Sequence, residues 1–235
     1  DQARLDGVVD DLKKNRKDLY LVYVSIPDAY GHRYGPDSSI LRNALQDMDR
    51  MLQRFSEQAE AIAPGNSYLF IGDHGMLPVE THFDAEATLA NIMCETGLRK
   101  GRDFVYFLDS TIVRLWALSD QANRVIPRLL AQNAAFRSNG KWMDAESAKH
   151  YHVPWPDRRY GDFLWIANPG VLVFPDFFHR LNPCKGMHGY DPDLPESQGV
   201  CINWGTHISR KSIAKIQLAN VFEILKRNLF DIKNI

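Results

Sequence analysis

One long amphipathic stretch, bracketed by two short apolar runs, constrains this chain most. Leu19-Tyr-Leu-Val-Tyr-Val-Ser-Ile26 is nearly continuously apolar, the pattern of a strand covered on both faces. Beyond Gly35-Pro36, with Asp37 or Ser38 as N-cap, Leu41, Leu45, Met48, Leu52 and Phe55 recur at three- and four-residue spacing. That helix is expected to end near Ile62, where Ala63-Pro-Gly-Asn66 signals a turn. Ser67-Tyr-Leu-Phe-Ile71 then reads as a second buried strand. Strand, helix and strand form a βαβ unit, which predicts two parallel strands joined by a right-handed crossover. Open sheets of this kind place their ligand sites beyond the carboxyl ends of the strands.

Chemistry-bearing residues follow both runs. Asp28 and His32 come just after the first, and Asp73 and His74 come after the second, within Gly72-Asp73-His74-Gly75-Met76. Two acid-plus-imidazole pairs are therefore expected at one sheet edge. Carboxylate with imidazole is a donor set suited to zinc and similar ions. A third motif, Cys184-Lys-Gly186-Met-His188-Gly189-Tyr-Asp191, puts a histidine on a glycine-flanked, tightly turned loop. If that loop returns to the sheet edge, Asp28, His32 and His188 supply three ligands, the number used by a catalytic zinc ion. Asp73 and His74 would then serve a second ion. Paired ions about 3.5–4 Å apart recur in phosphoryl chemistry.

The remaining pattern is less regular. Helices are expected from Leu5 to Lys17, from Ala85 to Glu95, and from Ser119 or Asp120 over Ile126, Leu129, Leu130 and Phe136. Phe104–Leu118 is β-prone with a break at Asp109-Ser110, giving two strands or a bulge. Asp162–Ala167, Asn168-Pro-Gly170 and Val171–Phe174 read as a β-hairpin. Gly199–Asn203 reads as a strand and Ile216–Phe230 as a closing helix. The implied organisation is a metal-binding α/β core from residues 1–76 and 181–235, with an inserted α+β cap over 77–180.

His82 is a candidate substrate contact, its ordinary reading being a surface loop histidine. His150, His152 and His179 read as structural, and so does His207, although it follows the last core strand. Asp191 and Asp193 are expected to fix the turn after His188. Trp142, Trp155 and Trp165 read as packing residues. No Walker loop, dinucleotide fingerprint or Gly-x-Ser-x-Gly elbow occurs.

The net charge of −1 gives no electrostatic attraction for a nucleic-acid polymer or an anionic membrane. No apolar run approaches the roughly 20 residues of a membrane helix. Three cysteines are too few and too scattered for a disulfide framework, which favours a reducing, cytoplasmic compartment; any leader would precede Asp1.

Taken together, Pro27-Asp28-x-x-Gly31-His32-x-x-Gly35-Pro36, Gly72-Asp73-His74-Gly75-Met76 and His188-Gly189-Tyr190-Asp191 resemble the type I phosphodiesterase/nucleotide pyrophosphatase family of the alkaline phosphatase superfamily. The resemblance implies an alkaline-phosphatase-like α/β sandwich, with a largely parallel central sheet flanked by helices. It implies two divalent cations, zinc first, with manganese or magnesium as alternatives. Asp28, His32 and His188 would hold one ion. Asp73 and His74 would hold the other, together with an Asp and a nucleophilic Thr or Ser. In the family those last two residues precede the Asp-x-x-x-His motif. Here the residues before Asp28 contain no Thr, and their only Ser is Ser25. The expectation is therefore a C-terminal fragment with little activity alone. Its nucleophile would lie upstream of Asp1, on an N-terminal segment that acts as its partner. The implied substrate is a small phosphorylated molecule of nucleotide type, cleaved at a phosphodiester or pyrophosphate bond. Alternatives on the same fold are a phosphonate hydrolase, a sulfatase or a phosphomonoesterase. From another class, the alternative is a non-catalytic binding or assembly domain.

Overall fold

The computed structural model describes residues 1–155, 157–205 and 215–230. The chain begins with α1 (Gln2–Lys14), α2 (Ile26–Tyr34) and α3 (Ser39–Ile62). Then come β1 (Ser67–Ile71), β2 (Leu77–Pro78), β3 (Thr81–Phe83), α4 (Ala85–Thr96), β4 (Phe104–Leu108) and β5 (Ile112–Ala117). Next are α5 (Asp120–Gln132), α6 (Ala134–Asn139), β6 (Gly140–Trp142), α7 (Ala145–His150), β7 (Phe163–Ala167) and β8 (Val171–Val173). The last elements are β9 (Gly186–Met187), β10 (Cys201–Gly205) and α8 (Val221–Phe230). The chain forms two compact units, residues 1–30, 39–73 and 199–235 in the first and residues 31–38 and 74–198 in the second.

In the first unit, α1 and α3 pack through Leu5, Met48 and Met51, with Val22, Val24, Leu52, Phe55 and Phe70 at the margin. The stripe read from the sequence thus faces a core, although Leu45 is exposed. β1 pairs with β10 in antiparallel register, Ser67 opposite Gly205 and Ile71 opposite Cys201. The run expected as the first strand differs. Residues 19–25 form no ladder with any strand among the described residues. Val22 and Val24 turn inward, whereas Leu21 is 82% and Tyr23 67% exposed. The period-two alternation of a strand is present, but a strand also needs a hydrogen-bonding neighbour. The expected parallel pairing with Ser67–Ile71 is therefore not seen. The Asp1 carboxylate instead accepts the amides of Ser25 at 3.1 Å and Ile26 at 3.0 Å, where the chain turns into α2.

The second unit is built on a four-stranded antiparallel sheet in the order β4-β5-β7-β6. The break at Asp109-Ser110 resolves as two strands, with Phe104 opposite Ala117 and Leu108 opposite Val113. Val113, Leu115 and Trp165 face Ala122, Ile126 and Leu130 of α5 and Phe136 of α6 in one core. Ser119 caps α5 by accepting the Ala122 amide at 3.2 Å, as its sequence position suggested. The hairpin expected over 162–174 does not form. β7 lies between β5 and β6, while β8 leaves that sheet to run parallel to β3. The Gly170 carbonyl accepts the Glu80 and Thr81 amides and so directs the strand there. Among the described residues β3–β8 is the parallel pair, so the α/β class holds while the largely parallel central sheet is not seen. β9 pairs antiparallel with β2, Gly186 opposite Pro78, and delivers His188 just beyond its end.

Candidate functional site

Asp28 and His32 lie on a helix rather than at a strand end. In α2 they are separated by one turn, and an i, i+4 pair shares one helix face. Pro27 fits the first turn, where its missing N–H costs nothing. Gly31 and Gly186 let backbone approach backbone: a Cβ on Gly186 would lie 2.6 Å from the Gly31 carbonyl oxygen. This contact brings the His32 ring to β9. His32 donates from Nδ1 to the Gly186 carbonyl at 2.8 Å, and the Lys185 amide donates to the His32 carbonyl at 2.8 Å. With the proton on Nδ1, the ring lone pair sits on Nε2, the arrangement metal-ligating histidines usually adopt.

The His188 ring centroid is 5.0 Å from that of His32 and 3.7 Å from that of His74, against which it stacks. His74 donates from Nδ1 to the Gly75 carbonyl at 2.9 Å, which likewise leaves the lone pair on Nε2. His32 and His188 each offer a ligand atom, and these lie within 4.8 Å of one another, while Asp28 stands one turn before His32 on α2. One carboxylate and two imidazoles, the His32 ring with its tautomer fixed, fit a divalent ion such as zinc. Asp73 immediately precedes His74, and this pair enters no further group of three ligand side chains among the described residues.

Residues 1–191 match the family described as type I phosphodiesterase / nucleotide pyrophosphatase. The chain belongs to that family. A venom phosphodiesterase of Crotalus durissus collilineatus is 36% identical over 208 residues, covering 85% of this chain and 24% of the venom protein. Human ectonucleotide pyrophosphatase/phosphodiesterase 5 superposes with a TM-score of 0.75 at 19% identity, covering 97% of this chain and 58% of that one. The murine counterpart, solved in complex with AMP, gives a TM-score of 0.66 at 20% identity, over 87% of this chain and 52% of that one. The chain thus spans about a quarter of the venom relative's length and just over half of these solved structures. Both solved structures share the fold.

In this family member the loop after His188 is held from several directions. Gly189 has φ +86°, a conformation that favours glycine, and its carbonyl accepts the Thr111 hydroxyl at 3.0 Å. Asp191 accepts the Asp193 amide at 3.1 Å, so its own side chain shapes the turn as expected. It also accepts the Tyr151 hydroxyl at 2.7 Å and Lys141 Nζ at 3.1 Å. Burial works to raise the Asp191 carboxyl pKa, but these hydrogen bonds outweigh it and hold the group below its ordinary range. Tyr190 is buried in the hydrophobic core. Its phenol is pushed up first by burial and then by the Glu80 charge, which keeps it protonated at neutral pH.

The other sequence candidates scatter. His82 is exposed on β3, its ring 5.7 Å from that of Phe174. His150 pairs with Asp193 at 2.5 Å, and His179 faces Asp176. His207 lies outside the described residues. Thr111, Lys141 and Tyr151 escaped the sequence reading because they sit far along the chain from the loop they hold. No local spacing marks them.

Proposed function

We propose that this chain carries the metal-binding part of a hydrolase that cleaves phosphodiester or pyrophosphate bonds of nucleotide-type substrates. The observation that carries this reading is the closeness of His32 and His188, with Asp28 one turn before His32 on the same helix. Asp28, His32 and His188 hold one divalent ion, zinc by the chemistry of the donors. Asp73 and His74 contribute ligands to a second. Bound cations would lower the pKa of a coordinated water and offset charge on the phosphoryl group. The chain's own residues orient the ligands: the Gly186 and Gly75 carbonyls fix the His32 and His74 tautomers, and Thr111 and Asp191 brace the loop carrying His188. The names of the relatives, and the AMP bound to the murine protein, support a nucleotide-type substrate.

Metal content after exhaustive dialysis tests the reading. About one tightly held equivalent of zinc is expected, lost in His188→Ala and in Asp28→Ala. Near-zero zinc, unchanged by either substitution, would overturn the reading and favour a non-catalytic binding domain. A panel of nucleotide diesters, pyrophosphates and monoesters with a phosphonate and a sulfate ester then separates the chemistries available to this fold. The diester-to-monoester ratio is the deciding readout.

A further inference from the structure

A second cluster of reactive side chains, Asp176, His179 and Cys184, lies in the second unit and includes none of the metal-ligand candidates. Asp176 is 1% exposed. Its Oδ1 accepts the Phe178 amide at 2.8 Å and the His179 amide, and its Oδ2 accepts the Ser110 hydroxyl at 2.8 Å. A carboxylate tethered this way has one orientation. His179 Nδ1 lies 3.4 Å from Asp176 Oδ2, and on the far side of the same ring Nε2 lies 3.5 Å from Cys184 Sγ. Carboxylate, imidazole and thiol are thus in series. With Nδ1–H turned to the carboxylate, Nε2 is the nitrogen placed to take the thiol proton, the logic of an activated nucleophile. Cys184 is half-buried and packs against the core, whereas Cys94 and Cys201 are exposed thiols.

We propose that Cys184 is an activated thiol, and that it is the position at which a hydroperoxide modifies this protein. His179 Nε2 takes the thiol proton, leaving a thiolate beside an imidazolium. The sulfur attacks the terminal oxygen of the hydroperoxide; an S–O bond forms and the O–O bond breaks. The sulfur loses two electrons and becomes a sulfenic acid. The peroxide is reduced, and the departing oxyanion takes the proton back from His179 and leaves as an alcohol or water. The product puts a polar oxygen next to Lys185, whose amide holds the His32 carbonyl and whose own carbonyl accepts the Val79 amide.

The folded protein is treated at neutral pH with iodoacetamide, and separately with hydrogen peroxide plus dimedone. Labelling is followed at each cysteine by peptide mass spectrometry. Each rate is divided by that of the same cysteine in the urea-unfolded chain. The ratio at Cys184 is expected to exceed those at Cys94 and Cys201 by about tenfold, despite its lower exposure. His179→Gln is expected to bring it down to theirs. A Cys184 ratio at or below those of the exposed cysteines overturns the proposal within the wild-type protein alone, and so does a fast Cys184 that His179→Gln leaves fast.

Discussion

His32 is bound to Gly186 across more than 150 residues of sequence, its Nδ1 2.8 Å from the glycine's carbonyl oxygen. The bond turns a flexible imidazole into a ring of fixed tautomer and direction, the preparation a metal ligand needs. It exists because α2 and β9 touch through two residues that lack side chains.

Gly186→Ala tests that contact. The new methyl would meet the Gly31 carbonyl at 2.6 Å and the Met76 sulfur at 2.9 Å, so backbone must move. Expected destabilisation is about 1–3 kcal/mol by urea unfolding. Gly7→Ala is the control. Nothing lies within 4 Å of a Cβ there, the residue sits inside α1, and a gain of roughly 0.5–1 kcal/mol is expected. If Gly186→Ala is as stable as wild type, the close approach is not a constraint.

Thr111→Val removes the hydroxyl that anchors the Gly189 carbonyl while keeping the side chain's shape. The direct stability cost is about 1 kcal/mol. The sharper expectation is a fall of about tenfold in zinc affinity, because the loop carrying His188 loses a brace. Competition with a chromogenic chelator measures it. Unchanged affinity would mean that the loop holds its place without Thr111.

Much of this arrangement was legible before the structure. The stripe of α3, the break between β4 and β5, and the cap at Ser119 follow from local periodicity and local hydrogen bonding, which a sequence carries directly. The run 19–25 departs from the expected strand for a physical reason. Apolar alternation tells which residues turn inward, but ladder formation depends on a neighbour contributed by another segment. The 162–174 hairpin failed in the same way: Asn168-Pro-Gly170 does turn the chain, yet where β8 lands is decided by the Glu80 and Thr81 amides. Asp28 and His32 are expected just beyond the end of a strand, yet their four-residue spacing is equally that of one helix face, and α2 is what forms. Composition of the site was readable; the braces at Thr111, Lys141 and Tyr151 were not.

Trp165→Ala probes the core of the sheet-bearing unit. The indole is 0% exposed, meets Phe83 and Phe136 at ring-centroid distances of 5.4 and 5.6 Å, and donates from Nε1 to the Phe136 carbonyl at 3.0 Å. Truncation leaves both a cavity and a buried acceptor without its donor. A loss of about 3–5 kcal/mol is expected in urea or thermal unfolding. A loss below about 1 kcal/mol would show that the site collapses around the missing ring.

Asp191 makes the brace pH-dependent in a defined direction. Its carboxyl is held below the ordinary range because the bonds from Tyr151, the Asp193 amide and Lys141 outweigh the opposing effect of burial. A carboxyl depressed in the folded state stabilises the fold fully above its unfolded pKa, about 3.9, and that contribution disappears as pH falls through the folded value. Lys141 remains charged across this window, its pKa raised first by the Tyr151 hydrogen bond. Asp191→Asn keeps the shape and removes the titration. Wild type is therefore expected to exceed Asp191→Asn in stability by the same margin at about pH 7 and pH 5, and by a shrinking margin at about pH 3. Urea unfolding at the three values measures the gap. A margin that persists at the lowest pH would place the stabilisation in shape or packing rather than in the charge that Lys141 and Tyr151 hold.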